Sequence, residues 1–155
     1  MEHKKILFSG NGNHQYGLKG SKNSSWKSDE RISSYGYKLI RVLNHPFRNS
    51  DDMVFEHRLL AEKYLLTEEN SVFVNGIAYL SKEYDVHHKD FNRANNSLDN
   101  LVVMKKSAHK RLHNLLAKTI HDSAGHFIGK VKATEYMTTE EIIKFTDDFL
   151  KRESA

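Results

Sequence analysis

Cysteine is absent from this 155-residue chain, proline occurs once, and no apolar run approaches the length of a membrane span. Without thiols, neither a disulfide nor a thiolate-bound zinc can staple the fold, so stability has to come from burial and from any ion held by histidine. The run Ile6-Leu7-Phe8, between Met1-Glu2-His3-Lys4-Lys5 and Ser9-Gly10, is too short for a secretory hydrophobic region. The expectation is a soluble, intracellular protein with no membrane partner. An apolar content of 38% and a charged content of 28% fit one compact domain.

Negative charge is scarce at the start of the chain. Residues 1–50 hold nine Lys/Arg against three Asp/Glu, while the remainder holds fifteen against seventeen, so the net charge of +4 is an N-terminal excess. Residues 9–34 are nearly devoid of aliphatic side chains and rich in Gly, Asn, Ser and Lys. Such a stretch reads as a flexible basic arm over 1–34, with Lys19, Lys22 and Lys27 placed to follow phosphates and release their counterions. A solvated surface tail has the same composition.

Beyond the arm, residues 35–155 read as one α+β domain. Tyr35 to Leu43 has strand character, and Asn44-His45-Pro46 offers a turn. Phe55, Leu59, Leu60, Tyr64 and Leu65 recur at helical spacing, predicting a helix over about 54–66. Val72-Phe73-Val74 and Ile77-Ala78-Tyr79-Leu80 flank Asn75-Gly76, the dipeptide best suited to a type I′ hairpin turn. Tyr84 to His88 and Leu101 to Met104 are further strands around a polar, Asn-rich loop. Ser107 is placed to cap a helix over about 108–118, Phe127 to Ala133 reads as a strand, and Thr138-Thr139-Glu140-Glu141 opens a final helix with Ile142, Phe145, Phe149 and Leu150 on one face.

Four of the ten histidines, His87, His88, His109 and His113, lie within 27 residues, where even spacing would give fewer than two. His109 and His113 are four apart on a predicted helix, so both rings leave one face and can share an ion. His87 and His88 are adjacent on a predicted strand and point to opposite sides. One can ligate a metal while the other acts as a base. Taken singly, a His pair beside Lys110 and Arg111 is also what a solvated helix face looks like.

Three segments carry a resemblance in order and spacing. Tyr84-Asp85-Val86-His87-His88-Lys89-Asp90, Asn95-Asn96-Ser97-Leu98-Asp99-Asn100-Leu101 and Ser107-Ala108-His109-Lys110-Arg111-Leu112-His113 resemble the HNH (His-Me finger) endonuclease motif. Upstream, Tyr35-Gly36-Tyr37-Lys38-Leu39-Ile40-Arg41, His45-Pro46 and Val54-Phe55-Glu56-His57-Arg58-Leu59 are similar to the leader of small phage-type members. Residues 13–17 and 19–27 resemble DNA-tethering segments of phage homing endonucleases.

The resemblance implies a ββα-metal core over about 84–118, with a strand/helix leader before it and a C-terminal helix after it. It implies that His88 is the general base, that Asn100 pins the loop that aims it, and that His87 and His109 ligate one divalent metal ion, with His113 as an additional ligand. Many members have an acidic residue where this chain has His87, and an all-imidazole site shifts preference from Mg²⁺ towards Zn²⁺, Ni²⁺ or Mn²⁺. Double-stranded DNA is the implied partner, a homodimer is compatible with the chain, and Lys105, Lys106, Lys110 and Arg111 join the arm lysines as candidate DNA contacts. Arg58 is a candidate for the scissile phosphate, although a salt bridge to Glu62 at i+4 serves it equally well. Two other readings stand beside the DNA endonuclease: a DNA-binding module with a structural histidine-bound metal, and a nuclease acting on RNA, since phosphate contacts carry little sequence information.

Overall fold

The structure, a computed structural model, describes residues 28–154. It is α+β, with four small antiparallel sheets and three helices. Strands β1 (Glu30–Ile32), β2 (Lys38–Arg41) and β3 (Met53–Phe55) form the first sheet and lead directly into helix α1 (Glu56–Tyr64). Strand β1 falls within the stretch expected to be an arm. All three of its side chains are exposed, so it is held by backbone pairing to β2 and carries no apolar alternation to announce it.

The next hairpin pairs β4 (Ser71–Val74) with β5 (Ile77–Leu80). Its turn residues Asn75 and Gly76 have φ of 52° and 79°, the left-handed pair that a type I′ turn requires. Then β6 (Tyr84–His88) pairs with β7 (Leu101–Lys105), which runs straight into α2 (Lys106–Leu116). Ser107 does not cap this helix. The N-cap is Lys105, without a side-chain bond, and α2 starts one residue ahead of Ser107 because β7 passes into it without a break.

Period-2 alternation gives the β6–β7 hairpin two different faces. Val86, Leu101 and Val103 pack with Ala61 and Leu80 on the α1 side. On the other side Met104 and Val102 pack with Ala108, Leu112 and Leu116 of α2 and with Ile142 and Phe149 of α3 (Thr139–Glu153). Leu112 is fully buried, and truncating it to Ala would cost roughly 2–5 kcal/mol by the usual cost of such a cavity. The α3 capping box forms as expected, Thr138 and Glu141 exchanging bonds at 3.3 and 2.8 Å. Phe145, however, is 36% exposed and the buried face runs through Thr146, whose hydroxyl donates to the Ile142 carbonyl and so needs no outside partner. Strand β8 (Lys118–His121), expected as helix end and connection, pairs with β9 (Phe127–Val131) in an exposed ribbon.

Among the described residues no helix is long and apolar enough to cross a membrane.

Candidate active site

Because β6 alternates, Asp85 and His87 face α2 while Val86 and His88 face α1. His87 and His88 are both buried, yet both line one cleft, together with His109 and His113 of α2, Tyr37, and Phe91 of the β6–β7 loop. The cleft is about 560 Å³, room for more than an ion and its waters.

On the α2 side three imidazoles converge. His109 Nε2 lies 3.1 Å from His87 Nδ1 and 3.0 Å from His113 Nε2. Asp85 Oδ2 stands 3.1 Å from the other nitrogen of His109, Nδ1. A carboxylate only accepts, so Nδ1 of His109 carries a proton, and Nε2 is the nitrogen turned towards the other two rings. Burial, with the neighbouring His109 next, pushes the pKa of His87 down to about 3 and that of His113 to about 4, so both rings hold lone pairs at neutral pH. The His109 bond keeps Asp85 ionised, below its ordinary pKa.

This donor set fits a divalent cation. Two imidazole nitrogens on one tetrahedral Zn²⁺ stand about 3.3 Å apart, given bonds of about 2.0–2.1 Å, and the three ring atoms here all lie within 4.8 Å of one another. A cation shared among the three nitrogens would hold all three rings as lone-pair donors. His87 Nε2 is buried and finds no hydrogen-bond partner among the described residues.

On the α1 side His88 is 4% exposed. Its Nε2 lies 2.8 Å from Asn96 Oδ1, and its ring packs against His57 and Tyr37, with centroids 5.1 and 6.0 Å away. Asn100 holds the loop between the strands shut. Its Oδ1 accepts from the Asp90 amide at 3.0 Å, and its Nδ2 donates to Asp90 Oδ1 and the Asn95 carbonyl at 2.9 and 2.8 Å. Burial works against the Asp90 charge, but bonds from Asn95, Asn100 and the Asn92 amide outweigh it and lower its pKa. The same loop carries Phe91 at φ 61°, a left-handed conformation that bulky residues avoid, with its ring 5.1 Å from His87 and 4.8 Å from His113.

A family model for HNH endonucleases matches residues 74–111. Residues 74–111 are therefore similar to an HNH endonuclease segment. The match takes in His87, His88, Asn100 and His109 and ends two residues before His113. A protein of Synechocystis sp. (strain ATCC 27184 / PCC 6803 / Kazusa), described as a DNA gyrase subunit, is 32% identical over 98 residues, which is 63% of this chain and 8% of that protein's length. No solved structure matches the chain.

Around residues 74–111 the residues expected to contact phosphate are placed as follows. Arg58 turns inward at 17% exposure, its Nε 3.2 Å from Glu62 Oε1 and its Nη2 donating to the Leu80 carbonyl, so the i+4 pairing is the one that forms. Glu62 also takes His45 Nε2 at 2.8 Å. Lys105 pairs with Glu69 at 3.0 Å and Arg111 with Glu153, while Lys106 and Lys110 are exposed on α2. None of these five lines the cleft, and Lys19, Lys22 and Lys27 lie outside the described residues. The cations that do line it are Arg93 and Lys132, and among the described residues that line it there is no Asp or Glu. Arg93 Nη1 donates to the Tyr35 carbonyl at 3.0 Å and its guanidinium lies 4.9 Å from the Tyr37 ring centre. Sequence reasoning also passed over Asp85 and Asn96. Asp85, two before His87 on a strand, was open to inference from its shared face; nothing local marks Asn96.

Proposed function

We propose that the chain is a metal-dependent DNA endonuclease that hydrolyses phosphodiester bonds to 5′-phosphate and 3′-hydroxyl ends. One observation carries the reading: adjacent histidines are sorted to opposite faces of β6, His87 into a cluster of three imidazoles and His88 onto an amide, and both open on one cleft bordered by Arg93 and Lys132.

His88 is the general base. It takes the proton of a water in the cleft, the water oxygen bonds to phosphorus, and the P–O3′ bond breaks as the departing oxygen is protonated from solvent. His87, His109 and His113 would hold one divalent ion, Zn²⁺, Ni²⁺ or Mn²⁺ in preference to Mg²⁺, and such an ion supplies charge stabilisation at a phosphate oxygen and at the leaving oxygen. Asn100 keeps the loop in place, and the ββα arrangement of β6, β7 and α2 sets ligands and base on rigid elements. Arg93 and Lys132 meet phosphates in the cleft, while Lys105, Lys106, Lys110, Arg111 and the arm residues Lys19, Lys22 and Lys27 extend the contact along the duplex. The likeness to an HNH segment supports DNA as substrate; the homodimer gains no support.

A structural metal site closes its coordination with four protein ligands, whereas a catalytic one leaves a position open. Three ligating residues gather here among those described, beside a cleft, which favours the enzyme over a metal-stapled binding module. The experiment is incubation with supercoiled plasmid in EDTA and then with each metal restored, alongside an RNA substrate. Cleavage of DNA is expected to return with metal and to fall about 10²- to 10⁴-fold in His88→Ala, whose metal affinity stays parental. Metal binding without cleavage would favour the binding module, and preferential cleavage of RNA would move the substrate class.

A further inference from the structure

The polar groups around His88 form a chain with only one consistent direction. Lys38 Nζ stands 2.9 Å from Glu56 Oε1. Burial raises the Glu56 pKa, but the bonds from Lys38 and Asn96 outweigh it and leave a carboxylate, which can only accept. The Asn96 amide group that lies 2.6 Å from Glu56 Oε2 must therefore be the NH₂, and its oxygen is left to face His88 Nε2 at 2.8 Å. An amide oxygen cannot donate. The hydrogen between His88 and Asn96 belongs to His88.

We infer that Asn96 and Glu56 are positioning residues that lock His88 as the Nε2–H tautomer, so that Nδ1 is the nitrogen that accepts the proton in catalysis, with Lys38 holding the far end of the chain. An isolated neutral imidazole exchanges its proton between the two nitrogens, so the other tautomer would present N–H where the lone pair is needed, and a ring turned by half a revolution would present C–H there. Here the turned ring would lose its partner. The second restraint is packing: His57 and Tyr37 lie against the ring on the α1 side. Glu56 is the first residue of α1, where the helix dipole favours its charge, and Lys38 lies on β2. The chain thus joins the N-terminal sheet and α1 to the base across 40 residues of sequence between Glu56 and Asn96. The leader has a chemical task beyond packing. That task rests on the reading of His88 as base, but the tautomer itself can be measured without cleavage.

The test uses the full chain with ¹⁵N-labelled histidine, saturated with Zn²⁺ and held at one pH, with ring nitrogens observed by long-range proton–nitrogen correlation. His88 in the parent should show a pyrrole-type Nε2 and a pyridine-type Nδ1. In Asn96→Ala the signature should become that of a tautomer mixture. With whichever metal supports cleavage, its kcat should fall by about 10-fold or more, since a base with a misplaced proton is idle, while KM and Zn²⁺ affinity stay parental. Asn96→Asp separates positioning from a mere tie between loop and helix. Its carboxylate repels Glu56 and breaks the tie, yet can only accept from His88, so the tautomer and most of the kcat should return. An Nδ1–H signature in the parent, or an Asn96→Ala protein with parental tautomer and kcat, would overturn the inference. An Asn96→Asp protein no better than Asn96→Ala would overturn it too. The parent spectrum needs no variant and so survives any failure of Asn96→Ala to fold. A parent with the Nε2–H signature, absent in Asn96→Ala, that cuts no DNA with any metal would uphold the chain of bonds and remove the endonuclease reading.

Discussion

Asp85 and His87 stand two residues apart on β6 and both meet the same ring. Asp85 accepts from Nδ1 of His109 at 3.1 Å, while His87 approaches its Nε2 at 3.1 Å. The strand thereby fixes His109 from both nitrogens, one bond keeping a proton on Nδ1 and the other approach completing the cluster.

Removing the carboxylate should loosen the cluster. Asp85→Asn is expected to weaken Zn²⁺ binding by about 10- to 100-fold, the usual effect of losing a partner behind a metal-bound histidine, with little loss of folded protein because Asp85 is half-buried. Calorimetric titration measures it directly, and an unchanged affinity would show that His109 is oriented by α2 alone.

His57 makes the fold sensitive to acid. Burial, followed by the neighbouring His88, holds its pKa at about 4, against about 6.5 in an unfolded chain. Between those values the unfolded chain takes up a proton that the folded chain refuses, so stability is lost as pH falls through that window and is level above it. His87 and His113 shift in the same direction, so the informative quantity is a difference. In His57→Phe the fall in urea midpoint between pH 7 and pH 5 should be smaller, by roughly 2 kcal/mol of unfolding free energy. Parallel pH profiles for the two metal-free proteins would contradict this.

Arg93 is held in the cleft by the Tyr35 carbonyl and the Tyr37 ring, with no carboxylate bond among the described residues. Replacing it with Ala should slow cleavage and reduce the dependence of log affinity on log salt by about 0.9, one phosphate's worth. Arg93→Lys should recover the salt slope but not the rate, because an ammonium neither stacks on Tyr37 in plane nor presents a fork to phosphate. A salt slope that Arg93→Ala leaves untouched would place Arg93 off the DNA path.

The basic N-terminal segment is tested by deletion of residues 1–27, a boundary that keeps β1 paired with β2. DNA affinity should weaken and the salt slope flatten, by about 0.9 for each phosphate no longer neutralised, while Zn²⁺ binding stays parental. Fluorescence anisotropy with a labelled duplex over a range of salt concentrations reads both quantities.

What the sequence disclosed follows the range of the forces involved. The Asn75-Gly76 turn, the Thr138 capping box and strands β6 and β7 are written in neighbouring residues, and so was the separation of His87 from His88, since it needs only the strand period. Strands β1 and β8 were not legible because every side chain on them is exposed. The face of α3 was half legible: Phe145 looked like core by hydrophobicity, but Thr146 occupies that place with its hydroxyl satisfied inside the helix. Asn96, Glu56, Lys38 and Arg93 gain their roles from interactions between distant segments, such as the 58 residues between Arg93 and Tyr35. No local pattern announces those.

The pairing of β6 with β7 sets His87 opposite Val102 and His88 opposite Leu101. Because a strand's side chains alternate, a shift by one residue would leave the sheet equally well bonded but exchange the two histidines. The ring meant to hold an ion would then face Asn96, and the ring meant to move a proton would face α2. The same shift would turn Asp85 towards Ala61 and Leu80 in place of Val86, so an insertion or deletion of a single codon within β6 is expected to cost both the site and the packing on the α1 side, whereas a two-codon change keeps the parity of the strand. Gene variants of this protein should therefore accept length changes in the β8–β9 ribbon far more readily than between Tyr84 and His88.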